Sequence, residues 1–203
     1  AGVSCEGGNG RDKACDEMLR ARLTGAAQPR RAVVAGAADE HVLQAVFAAQ
    51  ESGYVTPGLV GEEAAVRAAL EALGYGGKPH RRVHCPAGEN PSAAAVKLIR
   101  AGEGDFIIKG RLETKDLLKP VLNKESGLNS RGFITHFGCM QLAGYHKLLC
   151  ISDCAVIPYP SLEDKQKIIA AGVNTLHRLG YDEPIVGALC AVASTYCAGL
   201  IAN

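Results

Sequence analysis

The stretch RAVVAGAADEHVLQAVFAAQESG, from Arg31 to Gly53, decides the fold class. Ala32-Val33-Val34-Ala35 is an unbroken apolar run of strand length, the pattern of a strand buried on both faces. Asp39 then offers the side chain of a helix N-cap. Val42, Ala45, Val46 and Ala49 follow at the i, i+3, i+4, i+7 spacing of one helical face, until Gly53 stops the helix. The theme repeats: Val55 to Val60 reads as a strand, and Val66, Leu70 and Leu73 mark a helix closed by Gly74. Arg82-Val83-His84-Cys85 is a third strand. Asn90 caps the next helix, Pro91 takes its first position, and Ala94, Ala95, Leu98 and Ile99 run along it to Gly102. Asp105 to Lys109 is a fourth strand, and Thr114 to Asn123, with Leu117, Leu118, Val121 and Leu122, reads as a helix that Pro120 limits. Strands alternating with helices across short turns predict an α/β fold, a parallel sheet with helices on both faces.

Beyond this the rhythm breaks. Phe133 to Met140 and Leu148 to Ser152 read as strands with no helix between them. Ser161, with Asp164 in capping-box position, opens a helix bearing Ile169, Val173 and Leu176 and ending at Gly180, and Pro184 to Ala193 reads as a further strand. The expected organisation is a loosely attached leader over residues 1–30 with a short helix from Cys15 to Leu23. A first α/β domain follows over 31–148, then the start of a second, incomplete α/β domain over 149–203.

At 203 residues and 47% hydrophobic, the chain has the length and aliphatic content to bury a core, which excludes intrinsic disorder. The balance of 22 Lys+Arg against 21 Asp+Glu leaves +1, so no whole-molecule field draws nucleic acid or an anionic membrane, and anion binding must be local. No apolar stretch approaches the ~20 residues of a spanning helix. The first residues mix Glu6, Arg11, Asp12, Asp16, Glu17 and Arg20 instead of forming a secretory signal, and a cytoplasmic location is expected. The eight cysteines, Cys5, Cys15, Cys85, Cys139, Cys150, Cys154, Cys190 and Cys197, include no pair with zinc-knuckle spacing. They read as reduced core residues. No histidine pair joins Cys150 and Cys154, so no metal is expected.

In open parallel sheets ligands gather at the carboxyl ends of the strands, where helix N-termini converge. That rule selects Asp39 to His41, Lys109 to Thr114 and Ser152 to Pro160. In Lys109-Gly110-Arg111 two cations flank a glycine that lets a ligand approach the backbone closely, with Thr114 at a helix start. The group either holds a phosphate or simply solvates a strand end. His136, after Thr135, is either a proton carrier or a hydrogen-bonded core histidine. Asp153, at another strand end, either orients a ligand or caps a turn. His41 reads as structural, and His80 and His84 flank Arg81 and Arg82, a poor setting for a divalent cation. A Walker loop, a G-x-S-x-G elbow and a G-x-G-x-x-G turn are all missing.

Several stretches in series resemble the phosphate acetyl/butyryl transferases, most closely their phosphate butyryltransferase branch. They are Asp39-Glu40-His41-Val42-Leu43, Gly104-Asp105-Phe106-Ile107-Ile108-Lys109-Gly110, Thr114 with Leu117-Leu118, and Val121-Leu122-Asn123-Lys124-Glu125 with Gly127-Leu128. Thr135-His136, Gly144-Tyr145-His146-Lys147-Leu148-Leu149, Ser152-Asp153 and Pro158-Tyr159-Pro160-Ser161-Leu162-Glu163 continue the order. The resemblance implies reversible transfer of a butyryl or acetyl group between coenzyme A and inorganic phosphate. Coenzyme A then acts as substrate, with no further cofactor and no metal. It implies a two-domain fold like that of the isocitrate and isopropylmalate dehydrogenases, a homodimer, and a site in the interdomain cleft. Such chemistry needs an anion site, a donor for a developing oxyanion and a base for a thiol of pKa ~8.5. By resemblance His136 and Asp153 are the expected catalytic residues, and Lys109, Gly110, Thr114, Arg131 and Thr135 the expected substrate-binding ones. Family members are longer, so the second domain is expected to be incomplete here. The alternative from another class is an inactive fragment that binds coenzyme A or pairs with a partner chain. A third reading, a dehydrogenase of related fold, would need nicotinamide-binding and metal-binding carboxylate motifs that this sequence lacks.

Overall fold

The apolar run around Val33 forms the strand β1 (Arg30–Ala35) in the computed structural model of the chain, which describes residues 28–129, 132–142, 145 and 148–189. With β2 (Val55–Gly61), β3 (Arg81–His84) and β4 (Phe106–Lys109) it makes a parallel sheet in the order β3-β2-β1-β4. The intervening helices are α1 (Glu40–Glu51), α2 (Glu63–Ala72) and α3 (Pro91–Arg100), and α4 (Thr114–Val121) follows β4. Paired along both edges, β1 has no solvent side, and Ala32 to Ala35 are all buried. Alternation of side chains along a strand then serves two cores. Val34 packs with Leu43, Val46 and Phe47 of α1 and Val66 and Leu70 of α2. Val33 and Ala35 pack with Ala95 of α3, against which Leu98 and Ile99 also lie. Helices therefore cover both faces, as the alternating pattern predicts. Pro57, which has no N–H to donate, falls just ahead of the β2–β3 ladder, whose pairing begins at Gly58.

The helix starts follow their caps. The Asp39 carboxylate accepts from the Val42 N–H at 3.0 Å, and Asn90 Oδ1 accepts from the Ser92 N–H at 2.9 Å. Which face of α1 turns inward differs from the expectation. Leu43, Val46 and Phe47 are buried, whereas Ala45 is exposed. The two larger side chains remove more apolar area from water than the alanines one position round, and they set the rotation. Pro120 sits in the last turn of α4 and lacks the N–H that would reach the Asp116 carbonyl. Asn90 Nδ2 takes that carbonyl at 2.8 Å, so one side chain caps α3 and ties it to α4.

The chain divides into two units between Ile134 and Thr135. In the second, β5 (Gly138–Met140) and β6 (Leu149–Ile151) form an antiparallel pair, both shorter than the apolar runs suggested, and α5 (Leu162–Arg178) follows. β5 thus falls in the second unit, where the rhythm of the sequence breaks, and not in the expected first domain running to residue 148. Ser161 and Asp164 form the expected capping box. Ile168 and Gly172 are the buried positions of α5, and Gly172 lies against the Phe137 ring, while Ile169 is 39% exposed. The strand expected over Pro184 to Ala193 does not form as far as it is described. Residues 184–189 have no ladder partner, and Ile185 and Leu189 are 90% and 94% exposed. The cysteine expectation is also corrected. Cys85 is buried, but Cys139 and Cys154 are exposed and Cys150 is half-buried: Cys139 and Cys150 sit on a pair of three-residue strands, and Cys154 follows it in a loop. Residues 1–27, with the helix expected from Cys15 to Leu23, and Arg131, Cys190 and Cys197 lie outside the described residues, while Arg30, expected to close the leader, is the first residue of β1.

Candidate active site

Two of the three strand-end regions selected from the sequence lie in the parallel-sheet unit. Beyond the carboxyl ends of β1 and β2, a cavity of about 520 Å³ is lined by Ala38, Asp39, Glu40, His41, Ala65 and Arg111, among others. A neighbouring cavity of about 210 Å³ is lined by Gly36, Gly61, Cys85, Glu89 and Arg111, among others. Arg111 belongs to both, so of the expected Lys109-Gly110-Arg111 group it is the cation that meets Asp39 to His41. Lys109 and Thr114 are exposed and line neither cavity. Thr114 is the first residue of α4, behind Glu113, whose side chain makes no capping bond.

Gly110 is explained by the chain itself. A Cβ placed there would stand 2.1 Å from the Gly36 carbonyl oxygen and 2.9 Å from that of Ala35. The Gly110 N–H donates to the Ala35 carbonyl at 2.8 Å and the Arg111 N–H to that of Gly36 at 2.8 Å, so the β4 exit is stitched to the β1 exit. That N–H is already occupied. What the glycine does is bring the Arg111 backbone against the turn that leads into α1.

The third region, in the second unit, is built around Asp153 at the exit of β6. Its Oδ1 accepts from the Ala155 and Val156 N–H groups, both at 2.8 Å. Its Oδ2 accepts from the Thr135 hydroxyl at 2.8 Å and the His136 N–H at 2.9 Å. Burial alone would raise this carboxyl, but the N–H groups of Val156, Ala155 and His136 and the Thr135 hydroxyl outweigh it and hold Asp153 well below the usual carboxylate range. Ser152 Oγ donates to the His136 carbonyl at 2.6 Å and lies 3.1 Å from Thr135 Oγ1. Thr135, His136, Ser152 and Asp153 are therefore one hydrogen-bonded cluster.

Within it the carboxylate reaches His136 through the backbone, not the ring. The imidazole Nδ1 lies 2.8 Å from Cys154 Sγ and the ring is exposed. An anionic carboxylate already accepting four hydrogen bonds is a poor proton acceptor but a firm anchor, so Asp153 fixes the segment that presents Thr135 and His136. Cys154 is the member that sequence reasoning missed. Its neighbour Asp153 is a visible signal, but nothing local indicates that His136 returns beside it. Among the described residues no group of three or more His, Cys, Asp or Glu side chains is arranged so that it could hold a metal ion.

The family described as "Phosphate acetyl/butaryl transferase" matches residues 76–199, a range that contains the Asp153 cluster and Lys109 to Thr114. Phosphate butyryltransferase of Clostridium acetobutylicum is 31% identical over 163 residues, covering 80% of this chain and 54% of that protein. Phosphate acetyltransferase of Rhizobium meliloti is 35% identical over 176 residues, covering 84% of this chain and 55% of that protein. The chain thus spans about half the length of the curated relatives it matches. In fold it is similar to a phosphotransacetylase from Streptococcus pyogenes, with a TM-score of 0.69 at 17% identity over 84% of this chain and 60% of that one. A branched-chain phosphotransacylase from Enterococcus faecalis gives a TM-score of 0.59 at 20% identity over 74% of this chain and 52% of that one. With the family's pattern matched over more than half of its length, the chain belongs to the phosphate acetyl/butyryl transferases.

Proposed function

We propose that the protein transfers an acyl group, butyryl or acetyl, between coenzyme A and inorganic phosphate. The observation that carries this reading is that the family match takes in a hydrogen-bonded cluster with an exposed imidazole and a hydroxyl held on one anchored carboxylate. In the direction of acyl phosphate formation, a phosphate oxygen attacks the thioester carbonyl. An acyl–oxygen bond forms, the acyl–sulfur bond breaks, and the proton given up by the attacking hydrogen phosphate passes to the coenzyme A thiolate. His136 carries that proton, since its ring is exposed while its backbone is fixed. Asp153 is the positioning residue, and the Thr135 hydroxyl binds substrate. Lys109 and Thr114 bind anionic substrate groups, Gly110 sets the chain path that places its flanking cations, and Arg131 joins them as an anion partner. Coenzyme A is the thiol substrate, and no other cofactor or metal takes part. The setting is cytoplasmic and the assembly a homodimer of two-domain, dehydrogenase-like protomers. The described residues contain no helix long and apolar enough to cross a membrane.

The test is phosphate-dependent release of free thiol from butyryl-CoA and acetyl-CoA, by this chain and by a version extended through its downstream coding sequence. Release that requires phosphate and falls at least about tenfold in His136→Ala supports the reading. Absence of release by both polypeptides overturns it. Coenzyme A binding without turnover would favour instead a binding module that pairs with a partner chain.

A further inference from the structure

Two thiols outside the Asp153 cluster face one another across the β5–β6 ladder. Cys139 and Cys150 are direct partners in the antiparallel register, and their Sγ atoms lie 2.7 Å apart. Directly opposed residues of an antiparallel pair have Cα atoms about 4.5–5.5 Å apart, inside the roughly 4.4–6.8 Å that a disulfide spans. The two sulfurs can therefore bond without moving the backbone. Cys139 is exposed and open to a soluble reagent, whereas Cys150 is half-buried behind it.

We propose that Cys139 and Cys150 form a cross-strand disulfide by exchange with an oxidised low-molecular-weight thiol of the glutathione type, making the β5–β6 pair a redox-modified site. The Cys139 thiolate attacks the reagent's S–S bond, releasing one thiol and leaving a mixed disulfide. Cys150 then attacks the Cys139 sulfur, its proton going to solvent and on to the departing thiolate. Overall one reagent disulfide is reduced to two thiols and two protein thiols are oxidised to one disulfide. Burial, and then the hydrogen bond with Cys139, push the Cys150 thiol up to about 12. The order of attack follows: Cys139 enters and Cys150 resolves, and the resolving step quickens with rising pH. The bond closes the segment between β5 and β6 and clamps the strand whose exit carries Ser152 and Asp153.

The experiment treats the 203-residue chain with oxidised glutathione, quenches with acid, alkylates remaining thiols and maps tryptic peptides. Cys139 falls in the peptide Gly132 to Lys147, and Cys150 and Cys154 fall in Leu148 to Lys165. The expected product is these two peptides joined, about 2 Da lighter than their sum, with fragment ions placing the bond on Cys150 and the alkyl group on Cys154. Cys154→Ser keeps the joined product. Cys150→Ser loses it and leaves Cys139 as a glutathione adduct about 305 Da heavier. The proposal is overturned if the bond maps to Cys154, if Cys139 and Cys150 both remain alkylatable, or if both are recovered only as separate glutathione adducts. The unsubstituted protein's own peptide map decides this even where Cys150→Ser fails to fold.

Discussion

Asp153 and Gly110 show two ways in which one residue holds a site without touching a ligand. Asp153 is an ion whose charge is matched by three N–H groups and a hydroxyl. Asp153→Asn turns an amide donor toward two of those donors and should cost the second unit about 1.5–3 kcal/mol, the scale of a lost hydrogen bond to a charged group. A carboxyl held below its ordinary range stabilises the fold fully above the unfolded pKa of about 4, and that contribution is lost as pH falls toward the folded value. The difference in urea midpoint between wild type and Asp153→Asn is therefore expected to be largest near neutral pH and to shrink by pH 3. A gap that widens on acidification would contradict the assignment. Gly110→Ala drives a methyl group into the Gly36 carbonyl, and since backbone cannot rotate away the expected loss is about 2–3 kcal/mol, read from thermal or urea unfolding. From the sequence Gly110 read as room for a ligand's close approach. The approach is real, but the partner is Gly36, and contacts between residues so far apart in the chain carry no local signature.

Among the elements, legibility follows locality. Asp39, Asn90 and Ser161 were readable as caps because a cap is a contact between near neighbours, and each one makes its bond. The inward faces of α1 and α5 were rotated by about one position because periodicity does not say which of two adjacent stripes fits the sheet. Residues 184–189 were read as strand from apolarity, but a strand also needs a ladder partner. Least visible was the second job of Asn90, whose amide takes the Asp116 carbonyl that Pro120 leaves open. Asn90→Ala should cost about 2 kcal/mol, the sum of a cap and a hydrogen bond. Asn90→Asp separates the two: it keeps the acceptor for the Ser92 N–H but sets a carboxylate oxygen against a carbonyl, so it should be nearly as destabilising although aspartate caps helices well. Adding Pro120→Ala, which restores an N–H for Asp116, should recover part of that loss. Additive effects in this double-mutant cycle would show that the tie carries no energy. Ser161→Ala removes the hydroxyl side of the capping box and should lower helix content and cost the second unit about 1 kcal/mol, measured by circular dichroism.

Across the whole molecule, burial is distributed very unevenly. Every buried hydrophobic side chain among the described residues lies before Ile134 except Ile168. The parallel sheet has both faces covered, whereas β5–β6 pairs two short strands and α5 buries only Ile168 and Gly172. Since cooperative stability follows buried apolar area, the two units should open at different free energies. In native-state hydrogen exchange the amides of Val33, Val34 and Ala35 should be the slowest, and those of Cys139, Cys150 and α5 should exchange faster by on the order of 100-fold or more. A polypeptide of residues 28–134 should keep the slow amides of β1 and unfold cooperatively in urea, since both core clusters lie within it. Equal protection in the two units, or loss of cooperative unfolding in that fragment, would mean that the parallel sheet depends on residues beyond Ile134.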